Sequence, residues 1–191
     1  MTKLKTVILP KSLEKLGQSA FRNCTSLESV IFKGNKVTRI LDRTFQDCKA
    51  LKTVKLNKNK IQYIGFYAFY NCKSLKNINL PDSVSYLGNG AFANSGLVSI
   101  TIPKNAIDPK NDFKDQTGYT FRNCKALKTV TYTGKKVYFQ SMDFFGCDNL
   151  KVINLKNATS VQFASNQSKS FDAFSTKRNV LRINVKNKAV A

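Results

Sequence analysis

The chain of 191 residues contains no histidine, no tryptophan and few acidic residues. Without histidine, Ser-His and Cys-His nucleophiles, histidine-ligated zinc and HExxH metalloproteases are excluded. Glu14 and Glu28 are the only glutamates, and 11 acidic residues face 32 lysines and arginines, a net charge of +21. General acid–base catalysis requires positioned carboxylates, histidine or an activated lysine. We therefore expect a protein that is not an enzyme and that has no cofactor and no metal site.

Long apolar segments are also missing. No run approaches the roughly 20 residues that cross a membrane, and the short run Val7-Ile8-Leu9 is no signal-peptide core. Hydrophobic residues nevertheless make up 42% of the chain, with 14 phenylalanines and 7 tyrosines. A chain of this size and composition is able to form a core, in one or at most two domains.

One short segment recurs along the chain. In its clearest form it is Ala68-Phe69-Tyr70-Asn71-Cys72-Lys73-Ser74-Leu75, and each copy is followed by alternating apolar residues such as Leu75-x-x-Ile78-x-Leu80. The repeats begin near residues 4, 27, 51, 75, 97, 127, 150 and 180. A fixed period of this length is the signature of stacked repeats, in which each turn buries its apolar side against its neighbours.

Two kinds of spacing occur within each repeat. Alternation predicts a short strand, and the wider spacing of Ile61, Ile64 and Ala68 predicts a helical turn. The fold class expected is therefore an α/β solenoid of about eight turns, with short parallel strands on one face and short helical turns on the other. It forms a single domain over residues 4–185, and residues 1–3 and 186–191 are tails that we expect to be ends of a longer array.

Small and polar residues mark the bends of each turn. Glycines at one repeat position are expected to permit the bend into the helical turn; they are Gly17, Gly65 and Gly88. Short polar residues before the cysteine position tolerate a left-handed backbone; they are Asn23, Asp47, Asn71, Asn94 and Asn123. Two repeats carry insertions, within residues 104–117 and 162–170, and insertions on one side of a solenoid often mark its binding face.

The combined motif Leu-x-x-Val-x-Leu and Ile-x-x-Ile-Gly-x-x-Ala-Phe-x-Asn-Cys-x-x-Leu resembles the BspA-like, or treponemal-type, leucine-rich repeats. The resemblance covers residues 4–185. It implies a secreted or surface-anchored bacterial protein, hence an extracellular or cell-surface location. Similar proteins often form parts of longer chains, and some bind host matrix proteins or other bacteria.

Five cysteines follow the repeat: Cys24, Cys48, Cys72, Cys124 and Cys147. Their odd number and repeat spacing argue against a disulfide framework, and no Cys-x-x-Cys pair suggests zinc. Ser95 and Lys177 replace the thiol in two copies. We expect a column of buried thiols that act as small hydrophobic groups.

Three surfaces are candidates for binding. The outward positions of the predicted sheet are rich in hydroxyl and amide groups; they include Lys33, Lys55, Asn57, Asn77, Asn79, Thr101, Thr131, Thr133 and Asn154. A basic ridge is predicted along one edge of that sheet; it consists of Lys49, Lys52, Lys73, Lys76, Lys125, Lys128 and Lys151. An aromatic patch is predicted on the opposite side; it consists of Tyr63, Tyr67, Tyr70 and Tyr86.

Each surface also has a simpler explanation. Threonine and asparagine suit any exposed sheet, a lysine edge keeps a long array soluble and blocks edge pairing, and the tyrosines need not act together. The leading hypothesis is a non-catalytic protein-recognition or adhesion module, which binds a protein or glycan at a cell surface or in the extracellular matrix. The alternatives are a structural spacer of a larger surface protein and an electrostatic binder of anionic polymer. Lysines outnumber arginines 26 to 6, which disfavours specific nucleic-acid recognition.

Overall fold

The computed structural model describes residues 3–56, 60–106, 118–140, 142–163 and 182–185. Within these residues the chain winds into a solenoid of short parallel strands and tight turns. Equivalent positions of consecutive repeats lie side by side, so that Val7 pairs with Val30, and Val30 pairs with Val54.

The first row of strands, which we call the front ladder, comes from the alternating segments. Its members are β1 (Thr6–Leu9), β2 (Ser29–Phe32), β4 (Thr53–Lys55), β7 (Ser99–Ile102), β8 (Thr129–Tyr132), β10 (Val152–Leu155) and β12 (Arg182–Val185). They pair in the order β1-β2-β4 and β7-β8-β10-β12. Alternate residues such as Val30, Ile100 and Val130 are buried, and those between them face outward, which confirms the predicted period of two.

A second row of short strands, the side ladder, stands where helical turns were predicted. Its members are β3 (Arg39–Ile40), β5 (Tyr63–Ile64), β6 (Tyr86–Leu87), β9 (Lys136–Phe139) and β11 (Ser160–Phe163), paired as β3-β5-β6 and β9-β11. No helix occurs in the described part of the chain. The prediction of helical turns is wrong because Ile61 and Ile64, three residues apart, both face the core where the chain turns a corner.

The third side of each turn, the turn ladder, is built around the repeated phenylalanine. The backbone N–H groups of Ser19, Phe21 and Asn23 donate to carbonyls of the next turn over 2.8–3.0 Å. The phenylalanine rings stack in one column: Phe21, Phe45, Phe69, Phe92, Phe121 and Phe144 have centroids 5.2–5.8 Å apart. The stacked column is the direct consequence of a repeat that keeps its register.

Left-handed residues shape the turn ladder. The predicted residues all have φ near 60°: 60° at Asn23, 61° at Asp47, 59° at Asn71, 58° at Asn94 and 56° at Asn123. A second left-handed residue lies four positions earlier, as at Tyr67 (φ 53°). An α-helix cannot contain such residues in L-amino acids without considerable cost, which explains why this segment forms turns.

The glycines at the predicted bend have a different role. Gly65 and Gly88 are not among the residues with positive φ. Instead, a side chain on Gly88 would meet the backbone of Gly65 and Phe66 at 2.7 Å. Close approach between turns, and not left-handed geometry, therefore requires glycine at Gly65 and Gly88.

Candidate functional site

The outward residues of the front ladder form one polar surface, which we call the front face. Lys33, Lys55, Asn77, Asn79 and Thr101 are exposed. Thr131, Thr133 and Asn154 are half-buried, and Asn57 lies outside the described residues. Strand register aligns Thr101 with Thr131, and Thr131 with Asn154. The structure therefore brings most of the predicted sheet-face residues onto one surface.

Hydrogen bonds between turns orient several of these polar groups. The hydroxyl of Ser99 donates to Asn77 Oδ1 at 3.1 Å, and Asn154 Nδ2 donates to Thr131 Oγ1 at 3.2 Å. Asn184 Nδ2 in turn donates to Asn154 Oδ1 at 2.9 Å. Because Asn77 Oδ1 accepts from Ser99, the amide hydrogens of Asn77 are left to face other partners.

The basic ridge lies along the edge where the front ladder begins. All seven of its lysines are exposed; they are Lys49, Lys52, Lys73, Lys76, Lys125, Lys128 and Lys151. Backbone hydrogen bonds connect its positions from turn to turn, from Lys128 N to Val98 O and from Lys151 N to Lys128 O. Val98 takes the place of a lysine in this row. The ridge therefore has a first segment, from Lys49 to Lys76, and a second segment, from Lys125 to Lys151.

Two exposed ion pairs occur among the described residues. Lys52 Nζ lies 2.8 Å from Glu28 Oε2, and Lys36 Nζ lies 2.7 Å from Glu14 Oε1. The hydrogen bond from Lys52, with the charges of Lys52 and Lys5, lowers the pKa of Glu28 below its usual range. Lys52 is therefore the one ridge lysine in the described chain that has a carboxylate partner within 4 Å.

An open hollow is set into the first segment of the ridge. It has a volume of about 470 Å³ and is lined by Lys52, Lys73, Ser74, Lys76 and Asn77. Three lysines, one serine and one asparagine therefore border a single open space. Each of these five side chains carries a hydrogen-bond donor, a residue composition that suits a bound oxyanion.

The thiol column is buried as predicted. Each of Cys24, Cys48, Cys72, Cys124 and Cys147 is buried. The structure adds a hydrogen bond that was not predicted: four of the thiols, all except Cys24, donate to a phenylalanine carbonyl of the preceding turn, as from Cys48 Sγ to Phe21 O at 3.0 Å. Burial raises the pKa of Cys48 to about 12. Cys48 is thus a structural donor and a poor nucleophile.

The predicted aromatic patch divides into two pairs. Tyr63 and Tyr86 stack with centroids 4.6 Å apart, and Tyr67 and Tyr70 meet edge to face at 5.4 Å. The ring of Tyr86 is only 5% exposed, and the guanidinium of Arg39 covers Tyr63 at 4.1 Å. Tyr67 is therefore the exposed member of the patch, whereas Tyr63 and Tyr70 are half-buried.

One carboxylate is fully buried. Asp143 occupies the repeat position that holds Thr44 and Thr120 elsewhere, and all three are 0% exposed. Its oxygens accept from Gln140 N at 3.0 Å and Thr120 N at 3.2 Å. Desolvation outweighs these bonds and raises the pKa of Asp143 to about 6. The described residues contain no group of three or more histidine, cysteine or acidic side chains that is able to hold a metal ion.

The family described as "BspA type Leucine rich repeat region" matches this chain in six copies, over residues 1–117 and 105–188. The chain belongs to the BspA-type leucine-rich repeat family. The predicted family is thereby confirmed, whereas the predicted eight turns are not supported, because the match comprises six copies. The family and its solenoid fold are typically non-catalytic.

Three solved structures are similar to this BspA-type chain, and the first of them shares its fold. A leucine-rich repeat protein of T. pallidum is 26% identical, with a TM-score of 0.72, over 84% of this chain and 73% of that one. A leucine-rich cell surface protein of Faecalibacterium prausnitzii is 20% identical, with a TM-score of 0.47, over 83% and 57% of the two chains. A Bacteroides ovatus leucine-rich repeat protein is 19% identical, with a TM-score of 0.30, over 90% and 64%. No functionally curated protein matches the sequence.

Sequence reasoning missed two features of this BspA-type chain. The hollow includes Ser74, and the signal for it is a hydroxyl in Lys73-Ser74-Leu75-Lys76 where Lys49-Ala50-Leu51-Lys52 and Lys125-Ala126-Leu127-Lys128 have alanine. The packing of Arg39 on Tyr63 has no comparable signal in the sequence, because it depends on the register between β3 and β5.

Among the residues that the structure describes, a search for membrane-spanning helices finds none of sufficient length and hydropathy.

Proposed function

We propose that this chain is a non-catalytic protein-recognition or adhesion module that binds a host or cell-surface partner through its front face. The observation that carries the proposal is the alignment of outward hydroxyl and amide groups over consecutive turns, without a carboxylate among the predicted face residues. Such groups supply donors and acceptors at regular spacing along an extended surface. Location outside the cell or on its surface is part of the proposal and is supported by the family resemblance.

The test is to place charge on the front face without disturbing the core. Asn79 and Thr101 are exposed, so the variant Asn79→Glu/Thr101→Glu should fold normally. Thr25 and Asn35 are also exposed but do not occupy the outward sheet positions of the repeat, which makes Thr25→Glu/Asn35→Glu a control with the same residue types and charge. Binding of immobilised chain to purified laminin, fibronectin and collagen is measured by surface plasmon resonance.

We expect the chain to bind at least one matrix protein. Asn79→Glu/Thr101→Glu should lower that affinity at least tenfold, because burying two carboxylates without partners in an interface is costly. The Thr25→Glu/Asn35→Glu control should change the affinity less than twofold. Absence of binding to every matrix protein, or equal loss in both variants, would contradict a recognition role for the front face.

A structural spacer is the second candidate. It is favoured by the hydrogen bonds that run along the front face itself, such as Asn184 to Asn154 and Asn154 to Thr131, since these groups stabilise neighbouring turns without a partner. A spacer predicts that Asn79→Glu/Thr101→Glu changes neither binding nor attachment when the chain is displayed on a cell.

A further inference from the structure

The hollow in the first segment of the basic ridge differs from the rest of the lysine edge. Elsewhere the lysines form a line of exposed charges, but Lys52, Lys73 and Lys76, with Ser74 and Asn77, border one open space of about 470 Å³. Among the described residues, Lys73 and Lys76 have no carboxylate within 4 Å. The hollow therefore concentrates positive charge that the protein itself leaves largely unneutralised.

The neutral side chains of the hollow are arranged as donors. Asn77 Oδ1 accepts from the hydroxyl of Ser99 at 3.1 Å, which orients the amide, and the two hydrogens on Asn77 Nδ2 are donors for a ligand. Ser74 adds a hydroxyl, which donates to an oxyanion as readily as it accepts. Ammonium, amide and hydroxyl donors around one space match the oxygens of a sulfate or phosphate group.

The ridge continues on one side of the hollow, whereas the turn on the other side has Glu28 at the equivalent position. Lys49 lies in the same turn as Lys52, and beyond Val98 the second segment has Lys128 and Lys151 in adjacent turns joined by the bond from Lys151 N to Lys128 O. Neighbouring parallel strands lie about 4.8 Å apart, so the charges within each segment recur at short intervals. A line of charges of this kind fits a polymer with repeated anionic groups better than it fits a single small anion.

We propose that the hollow is an oxyanion site that anchors a linear polysaccharide bearing sulfate or phosphate groups, which then runs along the basic ridge. A polysaccharide is favoured over nucleic acid because no aromatic ring lines the hollow for base stacking, and because lysine binds oxyanions as a point charge without the bidentate geometry that reads bases. The site lies beside the front face and does not depend on the proposed recognition function.

Glu28 gives the sharpest test, because its removal should strengthen binding. Glu28 holds Lys52 at 2.8 Å and competes with any anion in the hollow. Glu28→Gln releases that lysine, and Glu14→Gln is the matched control, since Glu14 pairs with Lys36 at 2.7 Å away from the ridge. Both variants remove one exposed ion pair and raise the net charge by the same amount.

Binding of dextran sulfate and of a polyol-phosphate teichoic acid is measured by isothermal titration calorimetry at constant ionic strength. The affinity of Glu28→Gln for at least one of them should rise about threefold, whereas Glu14→Gln should stay within about 1.5-fold of the parent. The polymer with the larger response identifies sulfate or phosphate as the preferred group. An equal rise in both variants would mean that net charge alone governs binding and would overturn the site.

A loss-of-charge pair completes the test. Lys73→Gln/Lys76→Gln should lower the affinity about tenfold, and the off-ridge control Lys135→Gln/Lys136→Gln, two exposed lysines, less than twofold. Circular dichroism confirms that each variant is folded, and the gain in Glu28→Gln stands independently of that control. If a single-stranded oligodeoxynucleotide binds more tightly than both polysaccharides, with the same response to the variants, the polysaccharide assignment is wrong.

Discussion

Asp143 is the residue whose chemistry departs most from its repeat position. Its column otherwise holds alanine or threonine, as at Ala68 and Thr120, and burial raises its pKa from the usual 3.8 to about 6. The folded state therefore binds the proton more tightly than the unfolded state does. For this acid, folding stability is greatest at low pH and falls as pH rises from about 4 through 6.

We predict that the free energy of unfolding falls by about 1 kcal/mol between pH 5 and pH 7, where the absence of histidine leaves few other groups that titrate. Asp143→Thr, which restores the residue found at positions 44 and 120, should remove this slope and be more stable than the parent at pH 7. Urea unfolding at pH 5, 6 and 7 measures both effects. A slope that persists in Asp143→Thr would assign the pH dependence to another group.

Residue-scale features were predictable to different degrees. The left-handed backbone at Asn71 and its equivalents followed from the residue type and the repeat, because short polar side chains tolerate that geometry. The burial of Asp143 was not predicted, because two adjacent phenylalanines, Phe144 and Phe145, leave the alignment of this copy ambiguous, and only the structure shows that Phe144 continues the column. The hydrogen bond from the Cys48 thiol to Phe21 O joins two turns. The sequence of either turn by itself gives no sign of it.

At the scale of structural elements, the phenylalanine column is the main support of the turn ladder. Phe69 is 0% exposed and stacks on Phe45 at 5.3 Å and on Phe92 at 5.2 Å. Phe21 is half-buried and stacks on Phe45 at 5.6 Å. The two positions therefore share a motif but differ in how much apolar surface they remove from water.

Phe69→Ala should lower the free energy of unfolding by about 3–5 kcal/mol, because it deletes a buried ring and leaves a cavity. Phe21→Ala should cost clearly less, about 1–2 kcal/mol, since less of that ring is buried. Chemical denaturation of both variants gives the comparison. Equal losses at the two positions would contradict the burial and stacking that distinguish them.

The elements also show where sequence patterns mislead. Alternation correctly predicted the front ladder, since every second residue of a strand such as β2 faces the core. The spacing of Ile61 and Ile64 suggested a helix, but in a solenoid all inward residues share one core wherever the chain turns. Spacing of three to four therefore arises at a corner between two strands without any helical periodicity.

At the scale of the whole molecule, stacking converts single residues into surfaces. The front face and the basic ridge exist because each repeat presents the same outward position at the same edge, so their general placement was predictable from the repeat. The hollow was not predictable from the repeat, because two turns contribute to it. Its lining comprises Lys52 from one turn and Lys73, Ser74, Lys76 and Asn77 from the next. Side-chain convergence between turns is a property of the folded chain and not of its sequence pattern.

The proposed recognition function depends on the front face being the surface that meets a protein partner. Cross-saturation NMR measures this directly: a matrix protein that binds the chain is irradiated, and signal loss is recorded at the backbone amides of the deuterated chain. We predict losses centred on residues such as Asn79, Thr101 and Thr131, with the turn-ladder amides of Asn23 and Asn71 unaffected. Losses centred on the turn ladder or the side ladder, with the front face unaffected, would contradict the account.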